Sequence, residues 1–359
     1  MIAQKNDLNL LLNARGSLCS SIYLPVSGSL PQQNVLRARN LCRQAEDAAQ
    51  RFTGSTIAHS LLDPLEPMLI SQAQDIPPGT HGLAGFTRAS FQRALPLPIE
   101  VAEHTATGYH FFLRPILSLY CESELFHILA LSQKHVRLFE ADRFHVAELP
   151  MALIPAEIPD FDIPGFKKEL QFHLTAPGSG HGAVMYHGGR DEPKDRIALF
   201  LRGVHKAVHV ALRSRTGPVV VAAVNYIASL YASVNADPNL TPRHIEGNPD
   251  LLTPQELREK AWHIVAPCFA ARQEREIAKY RELAGTGLTS SELNEILAHA
   301  GNGRVRALFI ESAACEADHN GEDLLNNAAI ATLRDGGLVY QLPRAAMPAE
   351  SSIAALYRY

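Results

Sequence analysis

Between Ala176 and Arg190 the chain carries five glycines (Gly178, Gly180, Gly182, Gly188, Gly189), two histidines (His181, His187) and a closing arginine. Glycine leaves backbone N–H groups unobstructed, and such groups beside cationic side chains suit an RNA phosphate or another anion. The flanks supply the cations. From residue 165 to 215 nine Lys or Arg stand against four Asp or Glu, a local +5 that leaves −9 on the rest of a chain totalling −4. A plainer reading stays open, a solvated loop followed by an ordinary charged helix face.

Other constellations are weaker. Gly-x-x-x-x-Gly-Lys-Ser/Thr is absent and no dinucleotide fingerprint occurs, so no cofactor is called for. His205 and His209, four apart on one helix, could offer two imidazoles to a metal. Lys206 breaks the His-Glu-x-x-His pattern, however, and spacing identifies no third ligand, so a helix face or RNA contact is favoured and no metal is expected. No Gly-x-Ser-x-Gly elbow supports Ser-His-Asp chemistry. The acids Glu311, Glu316, Asp318, Glu322 and Asp323 could hold a cation, but they read better as helix N-terminal charges and solvated loop around the Asn320-Gly321 turn. Cys19, Cys42, Cys121, Cys268 and Cys315 are odd in number, far apart and in no Cys-x-x-Cys pair, so each reads as a small buried hydrophobe.

The elements that position the glycine stretch follow from periodicity. Leu18–Pro25 reads as a strand ended by proline, and apolar residues from Val35 to Phe52, Leu36 among them, recur at helical steps. Phe126–Ser132 and His135–Glu140 form a hairpin across Gln133-Lys134, with a third strand over 144–149 and a strand-like Leu170–Leu174 after a proline-rich connection. Ile197 to Leu212 is an amphipathic helix stopped by Gly217-Pro218, and Val219–Val224 is a buried strand. A linker over 235–250 leads to a helix opened by Thr253-Pro254-Gln255-Glu256, which Pro267 is expected to kink or split. Ser290 is expected to open another helix. A strand over 305–310, a helix over 323–334 and strands over 338–342 and 353–359 complete an α/β sandwich.

Composition fits that picture. The 359 residues are 46% hydrophobic and 19% charged, which excludes disorder, collagen and coiled coil and predicts two or three domains. No run approaches the roughly 18 apolar residues needed to cross a bilayer, and the polar start Met-Ile-Ala-Gln-Lys-Asn-Asp lacks a signal-peptide core, so a cytoplasmic protein without a membrane partner is expected.

Tyr186-His187-Gly188-Gly189-Arg190 with the helix after it resembles the central-domain loop and helix of eukaryotic and archaeal class-one peptide release factors. Among these the chain is most similar to the bacterial archaeo-eukaryotic release factor family. Ser20–Pro25, Ile128–Ser132, Glu246-Gly247-Asn248-Pro249-Asp250, Asp323–Ala329 and Gly336–Tyr340 carry the similarity in the same order along nearly the whole chain. The resemblance implies a mixed α+β and α/β protein of three domains: an N-terminal α+β domain over 1–118, a central ribonuclease-H-like domain over 119–240 bearing the glycine-rich loop 176–190, and a C-terminal α/β/α sandwich over 250–359. It also implies a loop that enters the peptidyl-transferase centre, where Gly-Gly-Gln helps water attack the ester of peptidyl-tRNA.

The glycines match as Gly188 and Gly189, but Arg190 stands in the glutamine position. Glutamine offers a neutral amide with donor and acceptor, whereas arginine is cationic and only donates. Hydrolysis is thus left open, while binding to ribosome or tRNA stays compatible. The expected reaction-site residues are His187, Gly188, Gly189 and Arg190, with Lys194, Arg196, Arg202 and Lys206 as phosphate contacts. No stop-codon-reading motif is identified. The rival readings are a catalytically silent interaction module and a small-molecule ester or phosphate hydrolase with His187 or His181 as general base.

Overall fold

The apolar run ended by Pro25 becomes strand β1 (Cys19–Pro25), which follows a short helix α1 (Lys5–Leu12). Helix α2 (Pro31–Gln50) starts on a proline, whose missing N–H would have no partner in a first turn, and buries Ala38, Leu41, Cys42, Ala45 and Ala49 at three- and four-residue steps. Leu36 departs from the expected apolar stripe and is 60% exposed. Helices α3 (Ser55–Leu62) and α4 (Glu66–Gln74), the second with Pro67 in its first turn, are short and were not foreseen. Strands β2 (Gly82–Arg88), β3 (Phe91–Leu97) and β4 (His104–Gly108) complete an antiparallel sheet of order β3-β2-β1-β4. Period-two alternation sends Ile22 and Leu24 into a core with α2, α3 and α4, and Tyr23 into one with Phe86, Phe111 and Leu11.

The expected hairpin is present as antiparallel β5 (Phe126–Leu131) and β6 (Val136–Ala141), and β7 (Val146–Leu149) adds to β6. Helix α5 (Glu192–Ala211) leads to β8 (Val219–Ala223), parallel to β5. Helix α6 (Asn225–Val234) then leads to β9 (Ile245–Glu246), parallel to β8. The order β7-β6-β5-β8-β9, counted from the sheet's own first strand, is 3-2-1-4-5 with the second strand reversed, which is the ribonuclease-H-like arrangement. Because β9 belongs to this sheet, the stretch 235–250 is not a plain linker. The face bearing Leu129, Leu138, Val219 and Val221 packs on α5 and α6.

The opposite face, with Ile128, Phe139 and Val220, packs on Leu257, Ala261 and Val265 of helix α7 (Pro254–Glu282). Thr253 and Glu256 close a reciprocal cap at its start: the Glu256 N–H donates to Thr253 Oγ1 (3.3 Å) and the Thr253 N–H to Glu256 Oε2 (2.8 Å). Pro267 lies inside this single 29-residue helix and does not split it. Ser290 sits in strand β10 (Thr289–Ser290) rather than opening a helix, and its hydroxyl accepts the Glu292 N–H just before α8 (Leu293–Gly301). Strand β11 (Val305–Glu311), helix α9 (Leu324–Arg334), and strands β12 (Leu338–Leu342) and β13 (Ile353–Tyr357) complete a sheet of order β10-β13-β11-β12. Helices α8 and α9 cover one face, and Ile277 and Tyr280 of α7 cover the other.

The structure is a computed structural model that describes residues 5–14, 16–120, 124–132, 135–151, 192–235, 237–314, 316 and 322–359. The protein is of mixed α/β class, with three sheets among the described residues. Its chain divides into two compact units, one of 1–121 with 272–359, the other of 122–271. Among the described residues no helix is long and apolar enough to cross a membrane.

Candidate functional site

Helix α5 is built to show one face outward. Ile197, Phe200, Leu201, Val204, Ala207 and Val208 are buried on the sheet. At 100° per residue the opposite arc carries Arg202, Lys206 and His209, all exposed, bordered by Leu199 and Val210 and continued past the helix end by Arg213. Four residues separate Arg202 from Lys206, about 6 Å along the axis at the α-helical rise. Among the described residues Arg202, Lys206 and Arg213 form no ion pair. Arg213 follows the helix C-terminus, where the macrodipole favours a cation.

Arg215, part of the same sequence charge excess, is engaged elsewhere. Its Nη1 donates to Glu140 Oε2 (2.7 Å), the oxygen that lies 3.7 Å from Nε2 of His127. His127 is 1% exposed on β5 directly opposite Glu140 on β6. Burial pushes its pKa down and the Glu140 carboxylate pulls the other way. Sequence reading missed this trio because its members meet only through strand register.

The expected site residues divide accordingly. Arg202 and Lys206 share the outward face of α5. Lys194 and Arg196 fall in its first turns, but their side chains lie outside the described residues, as do His187, Gly188, Gly189, Arg190, the entire loop 176–190 and the expected strand Leu170–Leu174. Arg213 was not expected and extends the face; its signal was the step of seven from Lys206.

The weaker constellations resolve into structural roles. His205 is half-buried near Tyr231 and His209 points outward, with their rings 6.3 Å apart and tilted. Each acid of the cluster that can be placed has a protein partner. Glu311 accepts from Arg344 (2.9 Å), Glu316 from the Ser352 hydroxyl (3.1 Å), and Glu322 from the Tyr109 N–H and Asn327. Asp323 caps α9 and pairs with Arg114, whereas Asp318 lies outside the described residues. Among the described residues no three His, Cys, Asp or Glu gather as a metal site. Cys19 and Cys42 are buried, which pushes their thiols up to about 12, but Cys268 is exposed on α7, contrary to expectation.

The model of bacterial archaeo-eukaryotic release factor family 3 matches residues 125–304, a span running from β5 through α8. The chain belongs to that family. Release factor family 3 membership makes it a release-factor-like, translation-related protein, and the matched span contains both the loop and α5. A comparison with curated proteins gives no match. Among solved structures the family member is similar to an archaeal translation termination factor, aRF1, at 16% identity over 98% of this chain and 96% of that one, with TM-score 0.25. It is also similar to Saccharomyces cerevisiae Dom34, a translation termination-like factor involved in RNA quality control, at 12% identity over 80% and 76% with TM-score 0.38. A third is archaeal Pelota, from a model of ribosome-bound Pelota and ABCE1, at 13% identity over 77% and 78% with TM-score 0.36.

Proposed function

We propose that this protein is a ribosome- or tRNA-engaging translation factor whose RNA contacts are the outward face of α5 together with Lys194, Arg196 and the loop residues His187 to Arg190. The observation that carries this reading is the exposed line of Arg202, Lys206 and Arg213, with no ion pair among the described residues, on a helix of a release-factor-like family member. Phosphate binding releases counterions, so log K falls linearly with log salt by about 0.7–0.9 per neutralised phosphate. Sedimentation of purified protein with large subunits or whole ribosomes at several salt concentrations tests it. Binding is expected to weaken steeply with salt, and Arg202→Glu with Lys206→Glu is expected to lower both the affinity and the magnitude of the salt slope by about 1–2. Salt-insensitive or absent association would sink the reading.

The chemical role of the loop turns on Arg190. Backbone N–H groups near Gly189 can hold water or an oxyanion, and a guanidinium can offset developing negative charge. It supplies no acceptor for a water proton, which a glutamine carbonyl does. In a peptidyl-tRNA release assay the parent chain is therefore expected to release little peptide and Arg190→Gln to release more. Equal release by both would remove position 190 from the chemistry.

A further inference from the structure

The trio of His127, Glu140 and Arg215 does not have the geometry of a settled salt bridge. The His127 side chain is 1% exposed, and neither of its ring nitrogens has a hydrogen-bond partner among the described residues. Its neighbours across the sheet are Glu140 on β6 and Val219 on β8. Glu140 Oε2 lies 3.7 Å from His127 Nε2, beyond the roughly 2.7–2.9 Å of a charge-assisted hydrogen bond, and the same oxygen already accepts from Arg215 Nη1 at 2.7 Å. Among the described residues Glu140 and Arg215 are the charged groups that act on the ring, the first from β6 and the second from the turn that ends α5.

One carboxylate oxygen cannot serve two cations equally. While the ring is neutral, Glu140 belongs to Arg215. A proton on the ring creates an imidazolium shielded from water, and a buried cation needs its counter-charge far more than an exposed one does. Arg215 is 38% exposed at the tip of a long side chain, so water replaces the carboxylate there at little cost. His127 is rooted in β5, the central strand of its sheet, and cannot turn to solvent. The carboxylate therefore moves toward the ring, and the guanidinium lets go.

We infer that these three residues form a proton-operated latch at the C-terminal end of α5: Glu140 holds Arg215 while His127 is neutral, and protonated His127 takes Glu140 and frees Arg215. The freed guanidinium stands two residues beyond Arg213, so acid lengthens the basic line of α5. That last step rests on the RNA reading, whereas the latch itself is tested on the protein alone.

The test is a pH titration of the full chain followed by NMR at the His127 ring and the Arg215 Nε–H, with Trp262 fluorescence reporting that the unit stays folded. Burial outweighs the pull of Glu140, so His127 is expected to take its proton below the ordinary histidine value of 6.5. The Arg215 signal is expected to move with the same midpoint toward that of a solvated arginine. In Arg215→Met a repelling cation is gone, and the His127 midpoint is expected to rise. In Glu140→Gln it is expected to fall, with the Arg215 signal at its solvated position at every pH. Both replaced side chains are partly exposed, so the fold is expected to survive. An Arg215 signal that ignores the His127 titration would overturn the latch, as would a His127 midpoint unmoved by Arg215→Met. So would a ring that stays neutral down to the pH at which Trp262 reports unfolding. Ribosome sedimentation below the His127 midpoint separates the two readings: if the latch works but Arg215→Met binds there as tightly as the parent, the lengthened basic line alone is refuted.

Discussion

Asp323→Ala is expected to destabilise the unit formed by residues 1–121 and 272–359 by about 4–6 kcal/mol, a large part of an ordinary domain's stability. The Arg114–Asp323 pair is 2.6 Å long, with side chains 7% and 6% exposed. Two further donations tie the guanidinium, from Nη2 to the carbonyls of Glu311 (3.1 Å) and Ser312 (3.2 Å). Removing the carboxylate strands a buried cation, which costs about 3–5 kcal/mol when one partner of a buried pair is lost. Asp323 is also the N-cap of α9, its Oδ1 accepting the N–H groups of Leu325 (2.9 Å) and Asn326 (3.4 Å), and losing a cap costs about 1 kcal/mol more. Asp323→Asn keeps the cap and loses the charge, so it should fall between parent and Asp323→Ala in chemical denaturation followed by circular dichroism. Replacing Arg114 and Asp323 together by apolar residues should recover part of the loss, because no charge is then left behind. A shift below about 1 kcal/mol for Asp323→Ala would show that the pair is far better hydrated than its burial indicates.

Gly217→Ala is expected to destabilise the unit spanning residues 122–271 by about 3 kcal/mol or more. Gly217 has φ of +138°, a backbone region that L-residues rarely adopt, and a Cβ there would lie 2.2 Å from the carbonyl oxygen of Leu125. That oxygen belongs to the main chain, so relief requires moving the entry to β5 or β8. Pro218 accepts the His127 N–H (2.8 Å) and Val219 sits opposite His127, so a displaced residue 217 disturbs the first rung of the parallel pair that supports α5. Trp262 is the only tryptophan, packed near Phe126 and Phe269 in the same unit, so its fluorescence reads this loss. The expected result is a lower midpoint in the fluorescence transition. An unchanged midpoint would mean that residue 217 is not held against Leu125 in solution.

Much of the framework was legible in the sequence because its signals are local. The proline-ended run at β1, the period-two hairpin of β5 and β6, the amphipathic α5 and the Thr253–Glu256 cap each announce themselves within a few residues. What escaped detection depends on distant partners. Helices α3, α4 and α6 are eight to ten residues long and gain stability from the sheets they cover rather than from a long periodic stripe. Leu36 fits the helical step of its neighbours, yet faces outward because the packed side of α2 is narrower than the stripe of apolar letters. The acids near the C-terminus read as a loose cluster until Arg114 and Arg344 arrive from elsewhere in the chain. Of the candidate site, the basic face of α5 followed from spacing, whereas the capture of Arg215 by Glu140 needed the strand register.

The split of the first unit into 1–121 and 272–359 has a consequence for biosynthesis. Arg114 leaves the ribosome 209 residues before its partner Asp323, roughly 10–40 s at ordinary elongation rates of about 5–20 residues per second. During that interval all of residues 122–271 are made and free to fold, while the strands of the first sheet wait with Tyr23, Phe86 and Phe111 lacking Ile330, the α9 residue that joins their core. The unit begun first is therefore completed last. A nascent chain stalled between residues 272 and 323 would carry one completed module and an apolar half-core, the form of this protein most in need of a holding chaperone.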